Sequence, residues 1–168
     1  MQHYLEFPHG AMRRKDREIT ERAEIEEIIS SAKIMHLALA DRDVPFLVPL
    51  HFAFDGQAIY FHSARDGAKI EMLKRNNLVC FEISDHSGVV ESRLACDFET
   101  VHRTVIGLGR AHFVEDDAEK VRALDLIVAQ FTEKKFTYPP NRLDATMVVR
   151  IDIDSVKGKK HLWGAPVE

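Results

Sequence analysis

Residues 60–69 read Tyr-Phe-His-Ser-Ala-Arg-Asp-Gly-Ala-Lys. An alternating apolar segment runs into small and polar donors, then a glycine, then a lysine that opens a helix. Ser63 brings a hydroxyl, His62 and Arg65 bring N–H donors, and Lys69 brings a positive charge. A helix start adds free backbone N–H groups and the positive end of the helix dipole. These types in this order suit a phosphate better than an apolar core, and predict that the chain holds a phosphorylated cofactor. The spacing is not Gly-x-x-x-x-Gly-Lys-[Ser/Thr], so it does not support a nucleoside-triphosphate P-loop.

The elements that must position these residues follow from periodicity. Ile25, Ile28, Ile29 and Ala32 share one face of a helix expected over about 17–31, capped by Asp16 or Thr20. Residues 33–40 alternate Ile34 and His36 against Met35, Leu37 and Leu39, which predicts a strand; Asp41-Arg42-Asp43 reads as a turn. Residues 45–54 form a second strand, Asp55-Gly56 is a hairpin signal, and 58–62 return, giving a β-hairpin over 44–63. A short helix is expected over 67–75 and a strand over 78–83 that ends at Ser84-Asp85-His86-Ser87-Gly88. Residues 99–113 read as a long strand interrupted by Gly107 and Gly109, a sign of a bend, a bulge or a close approach. A helix over 115–131 carries the stripe Val121, Leu124, Val128 and Phe131, with Glu115, Asp116 and Asp117 at its N-terminus. A loop with Pro139-Pro140 and a last strand over 145–153 follow.

The chain divides into an N-terminal tail (1–15), one domain (16–156) and a basic, aromatic C-terminal tail (157–168). Separate helices among antiparallel strands give an α+β domain built on a closed or partly closed barrel, which removes exposed edges. Strict strand–helix alternation is missing, so a doubly wound dinucleotide fold is disfavoured. Gly107-Leu-Gly109-Arg-Ala111 lacks the third glycine of a dinucleotide fingerprint.

Composition narrows the function further. At 168 residues, 45% hydrophobic and 30% charged, the chain has the make-up of a soluble globular domain. A net charge of −4 argues against nucleic acid as a partner. The apolar runs are too short for a membrane span, and the N-terminus lacks the apolar stretch of a signal peptide, so a cytoplasmic protein is expected. Cys80 and Cys96 lie too far apart for a CxxC pair and are expected to be buried thiols. Nine histidines are many, but no HExxH or paired Cys/His spacing marks a metal site.

Taken in order, several segments resemble the FMN-binding split barrels related to pyridoxamine phosphate oxidase, and within them the nitroimidazole-resistance (Nim) type. They are Val48-Pro-Leu-His-Phe-Ala-Phe-Asp-Gly56, Ile59 to Lys69, Asn77-Leu-Val-Cys-Phe81, Arg103-Thr-Val-Ile-Gly-Leu-Gly-Arg-Ala111, and the acidic-start helix with Ala123-Leu-Asp125. The likeness spans roughly residues 12–155. It implies a homodimer with two FMN molecules at the subunit interface. The flavin phosphate would lie at His62, Ser63 and Lys69, and the strand Val48-Pro49-Leu50 beside the isoalloxazine ring. Arg103 and Thr104 match a segment that contributes further polar contacts.

Some residues keep two readings. His62 either donates to the phosphate or ribityl chain or is a strand histidine satisfied by backbone; His51 faces either the cofactor or solvent. Arg103 is a candidate for stabilising reduced flavin at the N1/C2 edge, in competition with phosphate binding or an ion pair. Trp163, the sole tryptophan, either covers a flavin of the partner subunit or anchors the tail to its own barrel. Lys159, Lys160 and His161 meet an anion or solvent.

The resemblance implies an FMN-dependent oxidoreductase passing electrons from a nicotinamide donor, NAD(P)H, to a small-molecule acceptor such as a nitro compound or quinone. A non-catalytic flavin or haem carrier or redox sensor on the same barrel is the alternative. Pyridoxamine phosphate oxidase itself comes third, because the arginine-rich motif expected near that enzyme's end is replaced by Lys157-Gly-Lys-Lys-His-Leu-Trp163.

Overall fold

The structure, a computed structural model, describes residues 10–164. Eight antiparallel strands and four helices form an α+β domain with the architecture of a split barrel. The strands are β1 (Glu18–Ile19), β2 (Ile34–Asp41), β3 (Val44–His51), β4 (Ala53–Phe54), β5 (Ala58–Ala64), β6 (Leu78–Val90), β7 (Glu99–Phe113) and β8 (Thr146–His161). The helices are α1 (Arg22–Ser31), α2 (Ala68–Arg75), α3 (Asp117–Ala129) and α4 (Pro140–Ala145). Neighbours run β3-β2-β6-β7-β8-β5-β4, and β1 pairs with β8. Among the described residues no helix is long and apolar enough to cross a membrane.

The hairpin expected over 44–63 is split. Its turn forms as Asp55-Gly56 predicts: Gly56 takes φ +90°, and Asp55 Oδ1 accepts from the N–H groups of Gln57 and Ala58 at 2.9 and 2.8 Å. But β4 pairs with β5 only at Ala53↔Tyr60 and Phe54↔Ile59. At the buried Phe52 the chain leaves this ladder, and β3 pairs with β2 along its whole length while β5 pairs with β8. The two arms of one hairpin thus become the two walls of a cleft.

Side-chain alternation fills the barrel. Met35, Leu37 and Leu39 of β2, Phe81 and Ile83 of β6, Val105 of β7 and Val149 and Ile151 of β8 are buried together with Phe61. Each such side chain contributes about 1.5–3 kcal/mol by leaving water. β5 is buried on both faces, because α3 covers its outside: Phe61 points into the barrel, and Tyr60 lies under α3 with Ala123, Leu124 and Val148.

Gly107 and Gly109 are explained by both close approach and a bulge. A Cβ on Gly107 would sit 2.2 Å from the Phe81 ring, and one on Gly109 would sit 2.5 Å from the carbonyl oxygen of Asp152. The β7–β8 register shifts between Leu108 and Gly109.

Several boundaries differ from the periodicity. The first helix begins at Arg22 behind Glu21, with neither Asp16 nor Thr20 as its cap, because Glu18 and Ile19 pair with Lys159 and Gly158 of β8. β6 continues past Ile83 to Val90 through a bulge between His86 and Gly88, held by pairing with β7. The third helix spans 117–129, capped by the Asp116 carboxylate on the Glu119 N–H at 2.8 Å. It buries Lys120, Ala123, Leu124 and Ile127, so Leu124 alone of the expected stripe is fully inside; Phe131 lies beyond the helix, 54% exposed. Residues 157–161 belong to β8. Cys80 is half-buried and Cys96 exposed, both as free thiols.

Candidate functional site at the barrel split

The cleft walls carry the residues singled out by the sequence. Continued two residues past Ala53↔Tyr60, the hairpin register would set His51 opposite His62. Both side chains are exposed on the outer face. Alternation along β3 turns Val48 and Leu50 toward the core, which they pack against half-buried, so the outward residues are Leu47, Pro49 and His51. Of the predicted ring-flanking triplet only Pro49 presents its side chain to the cleft face; Val48 and Leu50 line it through backbone. Leu47, 64% exposed, lies on the same outward face as Pro49. β3 is an edge strand, so one row of its peptide groups is free to meet a ligand.

Across the cleft, β5 ends in His62, Ser63 and Ala64 and turns at Gly67 into α2. Gly67 sits at φ +106°, a backbone state that suits glycine, and no side chain caps the helix. The first-turn N–H groups of α2 therefore point outward without a protein cap. Lys69, half-buried, places its Nζ 5.5 Å from the Phe61 ring centroid and has no carboxylate partner among the described residues. Burial pushes its ammonium below its ordinary pKa. Partial desolvation by its neighbours, then the charges of Lys69 and His51, lower the pKa of His62 although its edge is open to solvent. Arg65 is withdrawn from this group, donating to the Asp144 carbonyl at the end of α4.

A half-buried cation without a counter-ion, next to an uncapped helix start and an imidazole, forms a donor set that fits a phosphate dianion. Lys69 and His51 both act electrostatically on His62, while Ser63, next along β5, faces the other side of the strand. Sequence reading left His51 undecided and missed Lys33 and Phe131. His51 Nδ1 lies 3.2 Å from the Lys33 carbonyl oxygen, and its ring meets Phe131 edge-on at 5.3 Å.

Arg103, Thr104 and Trp163 belong to other groups of contacts. Arg103, 8% exposed, donates from Nε to Asp85 at 2.9 Å, from Nη1 to Glu27 at 2.7 Å and from Nη2 to Ser31 Oγ at 3.4 Å. Burial alone would lower its pKa, but the two carboxylates outweigh burial and raise it. The guanidinium fastens α1 to β6 and β7, and all three nitrogens are engaged by groups of its own chain. Leu162, at φ +54°, turns the chain after β8 so that the Trp163 ring covers Arg103 at 4.5 Å. The indole anchors to its own barrel.

Thr104 faces outward beside Ser84 Oγ, 3.2 Å away, and lines a recess of about 260 Å³ with Met12, His102, Ile106, Lys157 and Lys159. A larger recess of about 550 Å³ holds Arg17, Cys96, Glu99, His102 and His161, where Glu99 accepts from His161 at 2.9 Å. Lys160 pairs with Glu24 at 2.8 Å. No group of His, Cys, Asp and Glu among the described residues is arranged to hold a metal ion.

A barrel of antiparallel strands split at one hairpin, with a phosphate-type donor set at the split, defines a class of small-ligand-binding domain. Comparison with known proteins gives the family and the fold. The family model for pyridoxamine 5′-phosphate oxidase matches residues 21–160, so the chain belongs to that family. A candidate 5-nitroimidazole antibiotic resistance protein from Bacteroides thetaiotaomicron superposes with a TM-score of 0.77 at 31% identity, over 84% of this chain and 85% of that one. The flavocytochrome Anf3 from Azotobacter vinelandii gives 0.81 at 24% identity, over 90% and 72%. A FAD and haem binding protein from Mycobacterium smegmatis gives 0.79 at 19%, over 88% and 75%. The latter two share the fold. No curated protein sequence matches the chain significantly.

Proposed function

We propose that the protein binds FMN at the barrel split and works as an oxidoreductase, passing electrons from NAD(P)H to a small acceptor such as a nitroaromatic compound or a quinone. The observation that carries this reading is Lys69, half-buried, without a counter-ion, at the uncapped start of α2 and beside His62. Family membership and the fold shared with flavin-binding proteins support it.

Lys69 would neutralise the phosphate, the first N–H groups of α2 and the Ser63 hydroxyl would serve as donors to it, and His62 would give a further N–H. Leu47 and Pro49 form an apolar wall that keeps water from one face of a planar ring, and the free edge of β3 offers backbone groups to the ring's polar rim. When bound, FMN supplies the hydride and electron chemistry, so the chain needs no nucleophile or acid–base triad of its own.

A second copy of the chain completes this site in our reading. Ile106 is 41% exposed on the outer face of β7, beside the Thr104 recess, and supplies apolar surface for a twofold contact. Arg103, Thr104 and Trp163 would approach a flavin only across that contact.

The test is the absorption spectrum of the purified protein with mass spectrometry of the released ligand. Flavin bands and an FMN mass are expected; a Soret band would point to haem instead. Anaerobic NADH or NADPH should bleach the flavin, and a nitro compound or quinone should restore it. Bound flavin that no donor reduces would make the protein a carrier or sensor.

A further inference from the structure

The positive groups at the split extend farther than one phosphate requires. From Lys69 they continue through His62 to His51 and Lys33, and the two charges that act on His62 beside burial are both positive. The row ends on an aromatic ring. Lys33 Nζ lies 5.2 Å from the Phe131 centroid, and His51 meets the same ring at 5.3 Å with an interplanar angle of 89°. Phe131 is 54% exposed, and what sets it apart from the other exposed phenylalanines is the lysine and histidine packed on its ring.

The backbone that carries the ring is also held in place. The Phe131 N–H donates to the Val128 carbonyl at 2.9 Å, and Gln130 Nε2 donates to the Phe52 carbonyl at 2.7 Å, tying the end of α3 to the residue where the hairpin splits. Gln130 Oε1 is buried there without a partner. Exposed ring, fixed backbone and flanking cations make a stacking platform next to a second anion position.

We propose that Lys33, His51 and Phe131 take the adenosine end of an adenosine diphosphate group, its adenosine-bound phosphate between His51 and Lys33 and its purine stacked on Phe131. The inference rests on the reading of Lys69 as the holder of the first phosphate. An adenosine diphosphate group reaches this cleft in two forms: as the nucleotide half of FAD, or as part of a nicotinamide dinucleotide donor. A flat base suits the exposed ring face better than an acidic peptide tail, which would use the cations and leave Phe131 idle.

The experiment titrates FMN, FAD and ADP into the full chain stripped of flavin, for the parent, Phe131→Ala, Phe131→Tyr and Lys33→Ala, with folding checked by thermal melting. If the group belongs to FAD, the parent binds FAD about tenfold more tightly than FMN, and ADP displaces FMN. Phe131→Ala then erases the FAD advantage and leaves FMN affinity unchanged, while Phe131→Tyr keeps it. If the group belongs to the electron donor, ADP binds beside FMN without displacing it, and Phe131→Ala abolishes that binding. ADP binding that needs Phe131 in a chain that binds neither flavin keeps the platform and sinks the flavin reading. Equal affinity for FMN and FAD with no ADP binding overturns the proposal, as does a Phe131→Ala variant that loses FMN and FAD alike.

Discussion

Lys69 and Arg103 are both cations withdrawn from water, and the chain treats them in opposite ways. Arg103 is surrounded by acceptors from α1 and β6 and is capped by an indole. Lys69 has a benzene ring on one side, an imidazole in its field and no carboxylate among the described residues. The same contrast runs through their surroundings: Lys160 has Glu24 and His161 has Glu99, whereas His51, His62 and Lys33 lie at the barrel split with no acid paired to them among the described residues. A buried charge that is compensated within the fold serves the fold. One left uncompensated costs stability, and its use must lie in what it binds.

The sharpest way to break this comparison is Lys69→Ala. It should weaken FMN binding about a hundredfold, the worth of a charge-assisted contact of ~1.5–3 kcal/mol, and leave the melting temperature unchanged or slightly higher. A fluorescence titration measures it, and FMN bound as tightly as by the parent would end the phosphate assignment. Arg103→Met should do the reverse. It leaves Asp85 and Glu27 without their partner and costs about 1–3 kcal/mol in urea unfolding, at the lower end because Glu27 is well exposed. Emission from Trp163 should move to the red as its ring loses the guanidinium. If this variant lost FMN as severely as Lys69→Ala, Arg103 would belong to the partner's flavin site and the contrast would fall.

His62→Gln tests a smaller effect. The lowered pKa of His62 favours its neutral form in the free protein, and an arriving dianion favours the protonated one. Binding therefore takes up a proton, so the parent's advantage over the variant should grow a fewfold as pH falls below neutrality. An advantage that stays flat with pH places His62 outside the phosphate's field. The smallest effect lies on the scaffold side. Tyr138 donates to Asp125 at 2.9 Å, and burial followed by that carboxylate pushes its pKa up to about 12. A folded-state pKa raised above the ordinary 10 means stability that is full below pH 10 and lost as pH rises toward 12. Ultraviolet difference titration of Asp125→Asn should show its phenolate forming at lower pH than in the parent.

Much of this arrangement could be read from short-range pattern. Asp55-Gly56 specifies its own turn, and Gly67 followed by Ala-Lys specifies a glycine-led helix start. Those two signals, twelve residues apart, bracket one cleft wall. The alternation of 34–39 is local too. What the sequence hid depends on contacts between distant segments. The hairpin splits at Phe52 because β2 takes β3 as a partner, a choice no turn residue announces. Arg103 acquires Glu27 and Asp85 from elements 76 and 18 residues away, so its clamp had no motif. Phe131 fits a helical stripe by spacing, but α3 ends at Ala129 and releases the ring to the cleft. The basic run 157–161 looked like a solvated tail because alternating charges and one glycine lower its apolar content. In the fold Gly158 admits Ile19, whose Cβ would lie 2.8 Å from any added Cβ, and the lysines are the exposed half of a strand.

The place of β8 in the chain has a consequence for how the molecule is made. Sixteen residues near the C-terminus pair with β1, β5 and β7, segments that begin up to 128 residues earlier. Until that last strand leaves the ribosome, β5 and β7 each lack a neighbour and the cylinder cannot shut. Such late, long-range pairing slows folding and leaves apolar edges uncovered during synthesis. Nascent chains stalled before residue 146 should therefore be bound by chaperones and cut readily by proteases, whereas chains released past residue 161 should become resistant.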